Sequence, residues 1–599
     1  MLNNIVDIVT KVNGSINGIV WGVPMLCLIF GTGVYFSIRT KFFQITHVKD
    51  VYENTVKGIL GNAKEKSKVK NNKNALSQFQ ALTTALASTI GTGNITGVST
   101  AIVVGGPGSI FWMWICAVFG MITHFAEVVL GIYYRKDDKK NGYSGGPMYY
   151  LERGVGKDLN MPRLGKILAI LFATFLFLAS YGTGNMTQMN SISEALKSNF
   201  GIPSIVSGVV LAAVTATIIL GGIKRIGQVA EKIVPFMAIF YIIVGIIIVL
   251  LNIKNVPSVF VAIVGGAFNT KAIAGGALGY VIKRSITYGF KRGAFSNEAG
   301  LGSSVIAHSA SSEKEPVKQA LWAIFEVFFD TIIVCTFTSL IILSSTLKAP
   351  NFYDALKNIG KDEITVCIDQ NLVNEKGEVL LVDNNFYQMP YKLDFANNAK
   401  VYTQNPQDGK EYDQINLNGK NYFIEKLLEK DTNDNSFFFG NVLRIKANHI
   451  LNTDGTIFVD NTGHEVIDSI HIENINGVSL VTLAVSNRLS HFAGKLLAIA
   501  VTLFAFTTIL GWSYYGTKCV EYLFGNVATY VYKGLFIIFI VIGSTMNLSL
   551  AWDIADTFNG LMAIPNLIGV LLLSGVVLKI VKNYYDRKNG KKVKPMMAR

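Results

Sequence analysis

The residues of this chain best suited to chemistry are uncharged, and several of them interrupt long apolar stretches. STIGTGNITG (Ser88–Gly97) sets Gly91, Thr92, Gly93 and Asn94 between apolar flanks, and VGGAFNTKAIAGG (Val264–Gly276) does the same with Phe268 and Asn269. Glycines and small polar residues there unwind a helix and release backbone groups that hydrocarbon cannot satisfy, so each break must line protein or water. Freed N–H groups around Thr92, Gly93 and Asn94, at the positive end of a half-helix, suit a carboxylate. Freed carbonyls on the other side, with Ile90 and Gly93 as candidates, suit a hard cation such as Na+. A plainer reading makes Gly93 and Gly97 a small-xxx-small packing face, but the interleaved Thr92 and Asn94 favour a binding turn. Phe268 is expected to wall a small pocket, the alternative being a ring that faces lipid. Gln188, beside Gly184, Asn185 and Thr187, offers an amide either to one end of an amino acid or to a neighbouring helix.

Three carboxylates, Glu127, Glu326 and Asp330, lie in or near apolar segments, where a charge is expensive and therefore a functional candidate. Structural pairing inside a bundle explains them equally well, so they stay outside the expected binding set. Asn297 and Glu298, in SNEAGLG, are expected to face the cytoplasm near an inner gate. No HExxH, GxSxG or phosphate-loop pattern is present and the carboxylates lack metal-ligand spacing, so no catalytic residues and no enzyme are expected.

The elements that must position these residues follow from composition. Half of the 599 residues are hydrophobic, only 16% are charged, and the mean hydropathy is +0.38. Apolar stretches of spanning length recur, too many for a soluble protein of this size to bury. The reading is an all-α polytopic membrane protein with a lead helix at about 17–37 and ten further spans between residues 76 and 581. The first and sixth of those ten carry the two breaks, corresponding positions in two halves of five, which is the pattern of an inverted-repeat transporter with a midplane site. The N-terminus lacks a basic n-region and a small-residue cleavage site, so no cleaved signal peptide is expected.

Charge sets the orientation. The loop 38–75 holds nine Lys/Arg against three Asp/Glu, and the tail 579–599 holds eight against one. Basic loops stay in the cytoplasm, which explains the net charge of +14 without nucleic acid. The block 348–490 holds 13 bases and 20 acids. Eleven spans put this block and the N-terminus outside and the C-terminus inside a bacterial plasma membrane. Its alternating apolar residues and turns such as NEKGE, NLNGK and NTDG predict a small β or α+β domain. The chain then divides into residues 1–346, an inserted domain at 347–487 that offers a surface to an extracellular partner, and residues 488–599.

GGPGSIFWMWICAVFG (Gly105–Gly120) resembles the signature of the alanine or glycine:cation symporter family, with Ser109 where Gly or Ala is expected. ALTTALASTIGTGNITGVSTAI (Ala81–Ile102), RGAFSNEAGLGS (Arg292–Ser303) and FTTILGWSYYG (Phe506–Gly516) resemble further hallmarks of it, in order along the chain. The resemblance covers nearly everything except 347–487. It implies a fold similar to the leucine transporter, a five-plus-five inverted repeat behind one extra helix, and import of a small neutral amino acid, alanine or glycine first, with Na+. H+ stays open as the coupling ion. It also implies that Gln188 and Trp512 border the substrate, the indole limiting side-chain size, and that Thr507 and Thr508 offer hydroxyls to Na+ together with carbonyls of the first core helix. Either threonine can instead bond back to its own helix. The rival function is an amino-acid receptor on the same fold that signals through the inserted domain.

Overall fold

In the computed structural model, residues 2–57, 75–138, 142–268, 277–346, 477–489, 491–546 and 548–598 are described, together with strands and single residues of the polar block between them. Eight helices among them are long and apolar enough to cross a membrane. The remaining expected spans are absent from that count because each is interrupted or short. The first core segment is split into α3 (Gln78–Thr89) and α4 (Thr96–Gly105). The fourth is the short apolar helix α8 (Ser204–Ile219).

The chain begins with α1 (Leu2–Val20) and α2 (Val23–Arg39). After α3 and α4 comes α5 (Gly108–Tyr133), most of whose residues are buried inside the bundle. The next segments are α6 (Pro162–Tyr181) and α7 (Thr187–Phe200), joined by a π-helical turn at Gly182–Met186, then α8 and α9 (Gly222–Leu251). α10 (Val256–Phe268), α11 (Ala277–Asn297) and the short α12 (Val305–Ser309) precede α13 (Pro316–Val327) and α14 (Thr336–Thr346). A second π segment, Phe328–Cys335, joins those last two. The final bundle helices are α15 (His491–Phe524), α16 (Ala528–Thr545) and α17 (Leu548–Leu572), followed by α18 (Ser574–Lys588).

Of the second break expected at Val264–Gly276, residues 264–268 are the last helical residues of α10, and residues 269–276, Asn269 included, lie outside the described residues. The described chain shows an interruption elsewhere. α11 ends at Asn297 and α12 begins at Val305, and between them Glu298, Gly300 and Gly302 have φ of 55°, 86° and 79°. A helix cannot continue through left-handed residues, so SNEAGLG is a built-in stop. Glycine supplies two of these positions without strain, while Glu298 takes one as a non-glycine.

Two of the three π segments among the described residues, Gly182–Met186 and Phe328–Cys335, are insertions that re-aim side chains within otherwise regular helices. The first carries Gly184, where a Cβ would lie 2.2 Å from Cβ of Trp512, so α15 rests directly on the backbone of the π turn. The second carries Asp330. In α17, Pro565 removes a backbone donor and crowds the preceding turn, and the next residue, Asn566, turns its amide inward.

In the polar block, the described strands β1 (Glu363–Cys367), β2 (Ala399–Tyr402), β3 (Asp413–Leu417), β4 (Lys420–Glu425), β5 (Val442–His449) and β6 (Ile467–Ile475) form an antiparallel sheet of order β1-β5-β6-β2-β4-β3. β3 and β4 pair antiparallel down to Leu417 and Lys420.

At the basic end, Asp50 accepts from Tyr585 and Lys588, both at 2.7 Å, and so ties the short helix Val48–Asn54 to α18. Burial raises the Asp50 carboxyl, but hydrogen bonds from Lys588 and Tyr585 outweigh it and hold the group below the usual carboxylate range.

Candidate functional site

The break between α3 and α4 begins where α3 runs out of donors. In a continuous helix the N–H groups of Gly91 and Thr92 would bond the carbonyls of Ala87 and Ser88. Gly91 instead donates to Oδ1 of Asn94 at 3.0 Å, and Thr92 donates to Oε1 of Gln188 at 3.1 Å. One 3-10 turn, Thr92–Asn94, then leads into α4. Carbonyls at the negative end of α3 are thereby released, and the positive end of α4 points back at the same turn.

Thr508 of α15 meets those carbonyls. Its hydroxyl lies 3.0 Å from O of Ala87, 3.4 Å from O of Ile90 and 3.1 Å from O of Phe504 in its own helix. A hydroxyl has one proton to give, so three carbonyl oxygens around it leave a surplus of lone pairs. A surplus of uncharged oxygen acceptors in a buried place fits a hard monovalent cation. Gly91 is part of this fit, because a Cβ there would lie 2.3 Å from Oγ1 of Thr508 and 3.1 Å from Oε1 of Gln188. Thr507 turns away, bonding O of Phe504 at 2.9 Å and Sδ of Met237 at 3.5 Å. It is not brought to the carbonyls.

Gln188 is fully engaged, with its Nε2 donating to O of Thr183 at 2.9 Å while its Oε1 caps Thr92. The Thr92 hydroxyl, by contrast, is buried without a partner, as is that of Thr89. Gly93 faces an aromatic ring, but it belongs to Phe295, whose Cδ1 lies 3.2 Å from where a Gly93 Cβ would be. Phe268 sits apart at the end of α10, 48% exposed, against Phe111 and Trp112 at ring distances of 4.8 and 5.9 Å. Phe295 of α11, rather than Phe268, is therefore the ring packed on the first break. Trp512 is 1% exposed, lies on Gly184 and hydrogen bonds Glu298.

Asn94 holds the turn from both ends of its amide. Its Nδ2 donates to Oδ1 of Asp330 at 2.7 Å, and Asp330 also accepts from Ser296 at 2.7 Å and Thr331 at 2.9 Å. Asp330 therefore clamps the first break to the end of α11. The sequence flagged this carboxylate as costly, but only the π segment at Phe328–Cys335 reveals that it reaches Asn94.

Beyond this clamp, Phe295 packs on Trp552 at a ring distance of 5.0 Å, and Arg292 bonds Asp556 at 2.9 Å beside Lys291 at 2.8 Å. An aromatic pair and a buried ion-pair triad thus join α11 to α17 on the side of the break toward the start of α11.

The profile of the sodium:alanine symporter family matches residues 6–375 and 453–598, with the middle of the polar block between them unmatched. The sodium/alanine symporter AgcS of Methanococcus maripaludis is 38% identical over 98% of this chain and 99% of its own length. The probable sodium/glutamine symporter GlnT of Bacillus subtilis is 30% identical over 98% of this chain and 93% of its own. With the interrupted helices and this likeness along nearly its whole length, the chain belongs to the sodium:alanine symporter family, and it is a multi-pass membrane protein that couples amino-acid transport to Na+.

Proposed function

We propose that the chain imports a small neutral amino acid, alanine or glycine first, by alternating access around the break between α3 and α4. The observation that carries this reading is the convergence of Thr508, Gly91 and Gln188 on one turn, with acceptors on one side and donors on the other. A carboxylate suits the donor side, at the N–H groups of Thr92 and Gly93 and the orphaned Thr92 hydroxyl. Gln188 then yields Thr92 to the substrate, its Oε1 standing where a carboxylate oxygen would bind. Na+ suits the acceptor side, at Thr508 and the carbonyls of Ala87 and Ile90.

Small size follows from the walls. Trp512 lies hard on Gly184 and Phe295 hard on Gly93, so neither ring can retreat without moving a backbone. GlnT shows that a probable sodium/glutamine symporter belongs among the relatives, so wall positions, rather than the fold, decide the substrate. On this reading the helices are a five-plus-five repeat behind a lead helix. The N-terminus is outside, the C-terminus is cytoplasmic, and residues 347–487 are an extracellular insertion dispensable for the chemistry and open to a partner. A receptor on the same fold has no observation in its favour.

Uptake of radiolabelled alanine into proteoliposomes, with and without an inward Na+ gradient and against a panel of unlabelled amino acids, tests this. Accumulation above the external concentration, blocked best by alanine or glycine, is the expected result. Binding without accumulation would falsify the import reading.

A further inference from the structure

Below the second interruption lies a set of ionisable groups that the sodium and substrate sites do not use. His124 and Glu127 come from α5, His308 from α12 and Glu326 from α13, and all four side chains are 0% exposed. Nδ1 of His124 is 2.9 Å from Oε2 of Glu127, and its Nε2 is 3.0 Å from the Ser304 hydroxyl and 3.4 Å from Oε2 of Glu326. Nε2 of His308 is 2.6 Å from the same Glu326 oxygen, while Gln319 donates to its Nδ1 at 2.9 Å. Oε1 of Glu326 is buried without a partner.

We propose that His124, held between Glu127 and Glu326, is a proton-binding site whose loading latches the SNEAGLG turn shut. As imidazolium, His124 donates at both nitrogens, to Glu127 on one side and to Ser304 and Glu326 on the other. When neutral it keeps the Nδ1–H bond to Glu127, and the Ser304 hydroxyl rotates to donate into Nε2. Each pattern gives both ring nitrogens of His124 a partner, so the site has two states. Their charges differ: two carboxylates with a neutral imidazole bury two negative charges, and one proton halves that. Burying uncompensated carboxylates is strongly unfavourable, so the dry, closed arrangement holds the proton, and hydration from the cytoplasm releases it.

The latch reaches the turn through two side chains. Ser304 is the last residue of the interruption, and Asn566 of α17 donates both to Glu127 at 2.5 Å and to O of Gly300 at 2.8 Å. Tyr150 bonds Asn566 from the far side. The other titratable groups facing the cluster are Glu298 on the turn, Asp330 on the π segment, and the phenols of Tyr150 and Tyr515. Arg135, just past the end of α5, bonds the carbonyls of Ser309 and Ser311 at 3.1 and 2.6 Å, so its charge is turned to backbone oxygens.

His124, His308 and Glu326 could also be set around a metal ion. The short contact argues for a proton. Ligand atoms of a tetrahedral zinc site, with bonds of about 2.05 Å, stand about 3.3 Å apart, whereas His308 and Glu326 are closed to 2.6 Å.

That the turn is an inner gate rests on the alternating-access reading, so the test avoids transport. Ser309 is buried at the end of α12 and its hydroxyl has no partner, which makes Ser309→Cys a near-isosteric reporter. In the full-length chain in proteoliposomes, labelling of the introduced thiol by maleimide is followed by peptide mass spectrometry. The cytoplasmic face is held at about pH 5 or about pH 8, the span over which a histidine changes charge. Acid is expected to protect the thiol at least about fivefold more than in a His124→Gln background, a ratio typical of linked sites and corrected for the thiol's own pH response. Glu127→Gln, which keeps the shape and removes one charge, shifts protection to more acid pH and carries the test if His124→Gln does not insert. Identical pH profiles in the parent and in both variants would overturn the proposal. Flat labelling with intact alanine uptake sinks this site alone, and pH-dependent labelling without uptake sinks only the substrate reading.

Discussion

The two interruptions of the bundle solve one geometric problem with different chemistry. The turn between α3 and α4 is held by neutral dipoles: Asn94 caps Gly91, Gln188 caps Thr92, and Thr508 meets the freed carbonyls. The turn between α11 and α12 is held through histidines and glutamates, by way of Ser304 and Asn566. On the proposed reading, a neutral cradle leaves room for a Na+ and a zwitterion to bring their own charges, whereas fixed carboxylates there would compete with the substrate. A cluster that carries its own charge instead responds to protons and water. One carboxylate, Asp330, touches both regions, since it accepts from Asn94 of the first and from Ser296 next to the second.

That shared clamp gives the largest expected effect. Asp330→Ala leaves the donors of Asn94, Ser296 and Thr331 buried without an acceptor, at about 1–3 kcal/mol each. Na+-driven uptake should be abolished and the unfolding midpoint lowered by several degrees. Asp330→Asn keeps one acceptor oxygen and should retain a measurable part of both. If Asp330→Ala transports like the parent, the two interruptions are independent and the comparison loses its link.

Thr508→Val sharpens the neutral side. Removing a hydroxyl that faces a cation costs about 1.5–3 kcal/mol, so the apparent Na+ affinity should fall about 10- to 100-fold. Titrating uptake against external Na+ at saturating amino acid measures it, and unchanged half-saturation would remove Thr508 from the ion site. Trp512→Leu probes the wall. An apolar wall discriminates one methylene by about 1–3 kcal/mol, so larger neutral amino acids should compete better with alanine by that margin. A competition profile identical to the parent's would place the indole outside the pocket.

The first break was legible because its chemistry is local. Glycines and polar residues between apolar flanks release backbone groups wherever the helices pack, and Thr508 lies a fixed distance along the same long helix as Trp512. The ring that meets Gly93 was not legible in the same way. Phe268 and Phe295 both end a Gly-Ala-Phe run in the sequence, and only packing shows that Phe295 meets Gly93 while Phe268 lies on Phe111. SNEAGLG read as a loop near a gate because Gly300 and Gly302 signal a turn, but the left-handed Glu298 and its bond to Trp512 depend on tertiary context. The histidine cluster draws on three separate elements, and no spacing along the chain announces it. His124 and Glu127 are three apart on α5, yet Glu326 and His308 arrive from elsewhere.

The smallest effect belongs to Thr507, and it separates two readings that the pair of adjacent hydroxyls leaves open. A sequence of two threonines suggests a joint ligand set, but adjacent residues on a helix point about 100° apart, so one can face α3 only if the other does not. The structure turns Thr508 to Ala87 and Ile90, and Thr507 to Phe504 and Met237. Thr507→Val therefore removes a back-bond to its own helix and a weak contact to sulfur, while keeping the branched shape that packs against α9. A net loss of about 0.5–1.5 kcal/mol in stability is the ceiling for such a bond, and none of it bears on Na+. The half-saturating Na+ concentration should stay within about twofold of the parent's. A fall comparable to that of Thr508→Val would mean that α15 rotates by most of a residue when the ion binds, and the neutral cradle would then be a product of binding rather than a preformed site.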